Sequence, residues 1–212
     1  MADGNLACSQ VTPIERAEVR QQLLAARNAL SASERAAADA ALIEQLDPIM
    51  AQALDQAQAR RTIPRSEPVL GVYWPVRGEP DLSVWYAQAR LRGWRLALPR
   101  TMAHQPLEFG LWLSSGQLVN GPWQIPLPDP FVTVQPDILI VPCLGFDARG
   151  WRLGYGGGFY DRTLAANRTP AIGVARACGQ IGELVPEIHD IALDAIVTER
   201  IQFRVSTGTD AG

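Results

Sequence analysis

Two rhythms of apolar residues run along this chain. In the first third they recur three or four positions apart; further on they gather into short continuous runs. Val19, Leu23, Ala26 and Leu30 share one side of a helix at this spacing. The start of that helix is marked by Thr12-Pro13-Ile14-Glu15, with Thr12 as N-cap, Pro13 in the first turn and Glu15 reaching back. Ser31-Ala32-Ser33-Glu34 repeats the capping signature and opens an alanine-rich helix to about Leu46. Asp47-Pro48 restarts it, and the helical pattern continues to about Ala59.

Arg60 to Pro68 is a polar connector, and beyond it the rhythm changes. Val69–Trp74 ends at Pro75, Trp94–Leu98 ends at Pro99, and Leu107–Leu113, Ile138–Val141, Ala171–Ala175 and Ile196–Thr198 follow. Runs this short read as strands, most of them buried on both faces. A helix from about Asp81 to Arg92 separates the first two, and Gln117–Pro136, rich in Gly and Pro, is expected to wrap over the surface. Strand–helix–strand units predict an α/β fold: a single-domain three-layer sandwich, with a mainly parallel central sheet and the N-terminal helices packed on it. Residues 1–11 are expected as a loose tail, 12–205 as the domain and 206–212 as a second tail. Ligands of such sheets collect at the carboxyl ends of the strands.

Composition narrows the function. The 212 residues are 47% hydrophobic, enough for one sizeable core. A net charge of −3 argues against a nucleic-acid partner held by bulk charge, and no apolar run is long enough to cross a membrane. The opening MADGNLACSQ lacks a basic region followed by an apolar core, so a cytoplasmic location is expected. Cys8, Cys143 and Cys178 form no C-x-x-C and only His104 and His189 accompany them, which disfavours structural zinc. All 19 basic residues are arginine, which excludes lysine Schiff-base chemistry. Small-molecule substrates and a monomer are the expectation.

The chemistry concentrates between Ile138 and Leu164. A buried strand leads through a turn at Asp147-Ala148-Arg149-Gly150 to Arg152, then to Gly154, Gly156, Gly157 and Gly158, and closes on a helix start at Phe159-Tyr160-Asp161-Arg162. Glycines let backbone N–H groups turn toward an anion, and the helix N-terminus behind them adds partial positive charge. Arg152 can pair with a phosphate, and Asp161 is a candidate Mg²⁺ ligand. An ordinary glycine-rich turn is the plainer reading. The dinucleotide fingerprint fails because Phe159 follows Gly157-Gly158, and a P-loop needs a lysine.

Val141-Pro142, Gly145-Phe146-Asp147, Gly150 and the run Arg152–Arg162 together resemble the 5-formyltetrahydrofolate cyclo-ligases, also called methenyltetrahydrofolate synthetases. The resemblance spans about residues 13–199. It implies an enzyme that uses ATP and Mg²⁺ to cyclise 5-formyltetrahydrofolate to 5,10-methenyltetrahydrofolate, releasing ADP and phosphate. It places Arg152 and Tyr160 in catalysis. ATP binding falls to Arg16, Ala17, Glu18, Val19 and Arg20, and to Arg152, Leu153, Gly154, Tyr155, Gly156, Gly157, Gly158, Phe159 and Tyr160. The folate falls to Arg20, Trp74, Glu79, Tyr155 and Phe159, with the Glu79 carboxylate accepting the paired N–H donors of a pterin. Mg²⁺ falls to Asp161 and Asp190, with His189 orienting that loop.

Read without the family, Arg16, Arg20 and Arg27 are a solvated basic strip and Glu79 a turn residue, and Trp74 serves equally as core filler or as a stacking surface. The chain also departs from the family. Arg16 stands where a lysine is usual, Leu127 occupies the acidic position of G-I-x-E-P, and Phe159 replaces the first of two tyrosines. These departures leave room for an alternative, a paralogous ATP-dependent enzyme acting on another small metabolite. Replacing Arg152 or Asp161 by Ala is expected to lower turnover by orders of magnitude with the fold intact.

Overall fold

The second capping signature forms as read, with the Glu34 N–H donating to the Ser31 hydroxyl. In the first, Glu15 reaches back to Thr12, but the helix starts only at Arg16, with Glu15 rather than Thr12 at its N-cap. Glu15 accepts hydrogen bonds from the Thr12 N–H and hydroxyl, and Glu34 from those of Ser31. In this computed structural model, which describes residues 10–59 and 67–204, α1 spans Arg16–Ala29 and α2 spans Ala32–Ala59. The helix expected to break at Asp47-Pro48 is continuous, with Pro48 inside it. Its apolar residues Leu42, Leu46, Ile49, Met50 and Leu54 stay buried across the proline, and that packing outweighs one lost backbone hydrogen bond. Residues 1–9, 60–66 and 205–212, which hold most of the expected tails and connector, lie outside the described residues. Val11, placed in the tail by sequence, is buried and bridges Leu184.

The strands are β1 (Val69–Gly71), β2 (Arg95–Arg100), β3 (Glu108–Trp112), β4 (Gln117–Asn120), β5 (Pro126–Asp129), β6 (Thr133–Val134) and β7 (Ile138–Pro142). They continue with β8 (Gly145–Phe146), β9 (Arg152–Leu153), β10 (Ala171–Val174), β11 (Ala195–Val197) and β12 (Gln202–Arg204). Helix α3 (Ser83–Leu91) joins β1 to β2, and α4 (Phe159–Ala166) joins β9 to β10. One sheet runs in the order β12-β11-β10-β7-β1-β2-β3-β6. Its centre, from β11 to β2, is parallel, and antiparallel strands close both edges.

Alternate residues of each strand serve two cores, as the pleat requires. Ile138 and Ile140 join α2 and α3 on one face, while Leu139 and Val141 join Leu164 of α4 on the other. Of the N-terminal helices, α2 lies on the sheet. Helix α1 packs instead over the loops that leave it, with Leu23 against Leu144, Leu153, Ile181 and Leu184. That places α1 at the carboxyl end of the sheet, beside the glycine loop.

Several strand readings differ from the structure, among them β1, which stops at Gly71 rather than Trp74. Pro99 does not end β2; pairing with β1 stops at Ala97, so the N–H that proline lacks is not needed on that side. The Gly/Pro-rich stretch is not merely a surface wrap. It forms a β4–β5 hairpin with Leu127 buried beneath it, and β6 then joins the main sheet. Among the described residues no helix is long and apolar enough to cross a membrane.

Candidate active site

Strand β7 ends at Pro142, and the chain then makes a short excursion before α4. Asp147, fully buried, holds this excursion together by accepting from the N–H groups of Arg149, Trp151 and Leu184. The excursion returns through β9, which carries Arg152 inward. One terminal nitrogen of Arg152 donates to the Ile191 carbonyl at 2.6 Å and the other to Asp161 Oδ1 at 2.7 Å. The glycine loop follows. Gly156 and Gly158 have φ of +93° and +62°, a left-handed backbone that side chains disfavour, and Gly158 is the residue from which α4 starts. Arg20 of α1 reaches over the loop and donates through Nε to the Gly154 carbonyl at 2.8 Å.

Arg16 closes the site from the same helix. It donates to both oxygens of Asp190 and to the Val185 carbonyl, and lies 3.0 Å from Glu187. Burial works to raise the Asp190 carboxyl, but the hydrogen bonds from Arg16 and the Glu187 N–H, with the charge of Arg16, hold it below its usual range. Asp190, Glu187 and His189 bring ligand atoms within 4.8 Å of one another, the one such grouping among the described residues. Asp161 is outside that group, although its carboxylate touches the adjoining Ile191 N–H at 3.3 Å. Both hydrogen bonds of Asp161 fall on Oδ1. The available donors are hard carboxylate oxygens, which suit Mg²⁺, but arginine now occupies both of the expected ligands.

A second cluster of polar side chains adjoins the loop. Glu79 is buried in the turn after β1, where its Oε2 accepts from the Val76 N–H at 2.9 Å. Burial pushes its carboxyl up to about 7, opposed by the Val76 N–H, the charge of Arg27 and the Tyr155 hydroxyl. Tyr155 belongs to the glycine loop, and its hydroxyl accepts from Arg27 at 2.9 Å, while burial and the charge of the nearby Glu79 carboxylate push the phenol up to about 12. Arg77 lies over the Tyr155 ring, 5.1 Å from its centre. Tyr160, in the first turn of α4, packs against the second core cluster, and burial, reinforced by the charge of Glu79, pushes its phenol up.

The sequence model of the 5-formyltetrahydrofolate cyclo-ligase family matches residues 13–199. The chain belongs to this family. The 5-formyltetrahydrofolate cyclo-ligase of Escherichia coli K12 is 48% identical over 65 residues, 29% of this chain and 36% of that protein. That of Haemophilus influenzae is 37% identical over 99 residues, 45% of this chain and 48% of that protein. The matched segments therefore span less than half the length of these curated relatives. A solved structure of the Aquifex aeolicus 5,10-methenyltetrahydrofolate synthetase superposes with a TM-score of 0.76 at 27% identity, covering 93% of this chain and 96% of that one. The Mycoplasma pneumoniae synthetase, at 20% identity and a TM-score of 0.68, shares the fold over 87% of this chain and 99% of its own.

Against the family pattern, the structure gathers Arg16, Arg20, Arg152, Gly154–Gly158, Asp161 and Asp190 at one end of the sheet. Ala17 and Glu18 are exposed on the outer side of α1, and Val19 packs beside the third core cluster, so their side chains do not face the loop. Leu153 is likewise a core residue. Trp74 packs edge-on to Trp112 at 6.0 Å on the margin of the core, the filler role more than the stacking one. Leu127, the missing acid of the cyclo-ligase motif, is a buried packing residue that a carboxylate could not replace without loss. Phe159 meets the exposed Trp123 edge-on at 6.0 Å and lies under the Arg162 guanidinium.

Two residues of this site escaped the sequence reading. Trp123 sits at the tip of the β4–β5 hairpin with φ of +54°, held over Phe159 by a conformation that no local pattern announces. Arg27 was assigned to a solvated strip, yet it is 1% exposed. A signal did exist. Arg16, Leu23 and Arg27 fall on one helical stripe and are all buried, so the apolar residue between the arginines reports where they point.

Proposed function

We propose that this protein cyclises 5-formyltetrahydrofolate to 5,10-methenyltetrahydrofolate, using ATP and Mg²⁺ and releasing ADP and phosphate. One observation carries the reading: Tyr155 lies within the anion-binding loop while its hydroxyl accepts from Arg27, whose stem packs against the turn that carries Glu79. A cradle for phosphates and a carboxylate suited to a pterin are thereby neighbours, as transfer of a phosphoryl group to a folate substituent demands.

An N-formyl group is a poor electrophile because its oxygen leaves badly. Moving the γ-phosphoryl group of ATP to that oxygen breaks the bond to the β-phosphate oxygen, and ADP departs. N10 then attacks the formyl carbon and loses its proton, and the oxygen leaves as phosphate with the C–O electron pair. The protein's part is positioning and charge. Arg152 and the N–H groups of the glycine loop receive phosphate oxygens, Arg16 and Arg20 approach from α1, and Tyr160 lines the loop at the start of α4. Glu79 accepts the paired N–H donors of the pterin, with the rings of Tyr155 and Phe159 beside it. Mg²⁺, held by Asp161 and Asp190 when bound, supplies charge neutralisation among the phosphate oxygens.

The test follows the absorbance of the methenyl product. Purified protein mixed with 5-formyltetrahydrofolate, ATP and Mg²⁺ is expected to develop it, with omission of either ATP or Mg²⁺ abolishing the rise. A flat trace from folded protein that binds ATP would assign the site to another substrate.

A further inference from the structure

Arg27 has no part in the chemistry just described, yet it is among the largest fully buried side chains of the molecule. One arm donates to the Cys143 carbonyl at 2.7 Å, where the chain leaves β7, and the other donates to the Tyr155 hydroxyl at 2.9 Å. Its aliphatic stem lies against Gly78, where an added Cβ would come within 3.4 Å, in the turn that carries Glu79. A guanidinium taken out of water is costly unless its donors are met, and packing four residues after Leu23 needs only an apolar side chain. The charge is therefore there for its partners.

A phenol that accepts from arginine keeps its own proton for another acceptor, and the Glu79 carboxylate is the negative charge nearby. We propose that Arg27 is a positioning residue for the folate half of the site, holding Tyr155 in place and bracing from beneath the turn that carries Glu79, the carboxylate that receives the pterin. This rests on the cyclisation reading. The positive charge also opposes the burial that favours a protonated Glu79. From the other elements around it, Glu79 is faced by Arg77 of its own turn and by the neutral groups of Tyr73, Tyr86, Tyr160 and Cys143.

The experiment compares Arg27→Met, Arg27→Lys and wild type. Arg27→Met is expected to raise KM for 5-formyltetrahydrofolate about tenfold or more, leave KM for ATP and kcat within about twofold, and move the acid limb of kcat/KM for the folate to higher pH. Arg27→Lys keeps the charge without the fork, so it restores the pH limb more fully than KM. Equal losses toward both substrates, or an unchanged folate KM and pH profile, overturn the proposal. If Arg27→Met does not fold, Arg27→Gln, which keeps a donor but not the charge, takes its place and is expected to show the same split between the two KM values. The ¹³C carboxyl resonance of Glu79 keeps this inference separate from the reaction. Its titration is expected to move upward in Arg27→Met whichever substrate the enzyme uses, and an unmoved titration refutes the role of Arg27 even if cyclisation is confirmed.

Discussion

The Arg152 guanidinium donates to the Asp161 carboxylate at 2.7 Å across the glycine loop. Arg16 and Asp190 form a second such pair at 2.6 Å. In each, a cation suited to phosphate is held by an anion suited to a metal. On the proposed function, nucleotide and metal would enter together: ATP would draw the arginines away, and the carboxylates so released would need a new counter-charge. Without Mg²⁺ the exchange is left half complete. ATP is accordingly expected to bind at least about tenfold more weakly in chelator than with Mg²⁺, as measured by calorimetry. Asp161→Asn, which frees Arg152 but offers no carboxylate, narrows that gap while lowering turnover by orders of magnitude. Equal affinity with and without Mg²⁺ in the wild type would refute the exchange.

The same pair revises what a substitution does to the fold. The side chains of Arg152 and Asp161 are 6% and 20% exposed, so removing either strands a mostly buried charge. Arg152→Ala is expected to cost about 3 kcal/mol of stability as well as activity, contrary to the expectation of an intact fold from the loop motif alone. Urea unfolding of the variant against wild type measures it. An unchanged midpoint would show that water already screens the pair.

Arg16→Lys restores the family's usual residue, yet here it is expected to destabilise. The Arg16 fork meets both Asp190 oxygens and the Val185 carbonyl at once, which a single ammonium cannot do. A loss of about 1–3 kcal/mol follows from the unmet groups. Because the Asp190 carboxyl is held low, the stability it contributes is present above its ordinary value of 3.8 and is lost as pH falls through the depressed one. The difference between variant and wild type in thermal unfolding should therefore shrink at the acid end. A difference independent of pH would mean that packing, not the ion pair, carries the effect.

How much of this was legible follows from the range of the forces involved. The central strands were, because burial on both faces writes a continuous apolar run such as Ile138–Val141 into the chain. The capping boxes were, because their bonds span three residues. The glycine loop was, because a left-handed backbone at Gly156 and Gly158 leaves few alternatives. Arg27 was misplaced because its partner Cys143 lies 116 residues away, and charge by itself argues for solvent. The pairing of Asp161 with Arg152 rather than with Asp190 was equally hidden: two acids near a phosphate loop suggest a shared metal, and only the fold shows which cation reaches each first.

Phe159 bears on which feature of the family's first tyrosine matters. Its ring is already engaged, edge-on to Trp123 and beneath Arg162, so the contact surface survives without a hydroxyl. Phe159→Tyr is expected to change KM for 5-formyltetrahydrofolate by less than about threefold, whereas Phe159→Ala raises it about tenfold. A large gain from the tyrosine would show that the hydroxyl, rather than the ring, does the binding.

Glu79 ties stability and activity to pH in opposite senses. Its carboxyl is pushed up to about 7 from an ordinary value of 4.5, chiefly by burial. The folded protein therefore holds this proton where the unfolded chain has lost it, and stability falls as pH rises from 4.5 to about 7, then levels off. The whole fall is on the order of 3 kcal/mol. Glu79→Gln is neutral throughout, so it should lack this slope and be the more stable protein above neutrality. On the proposed function, catalysis would run the other way, since the pterin's N–H donors would need the anion. In the wild type, kcat/KM for 5-formyltetrahydrofolate is expected to climb through about pH 7, while Glu79→Gln loses about a hundredfold or more at every pH. Urea unfolding at about pH 5 and about pH 8, paired with the pH–rate profile, reads both effects. A variant that keeps the wild-type acid limb would show that another group controls folate binding, and one that keeps the stability slope would place the titrating acid elsewhere.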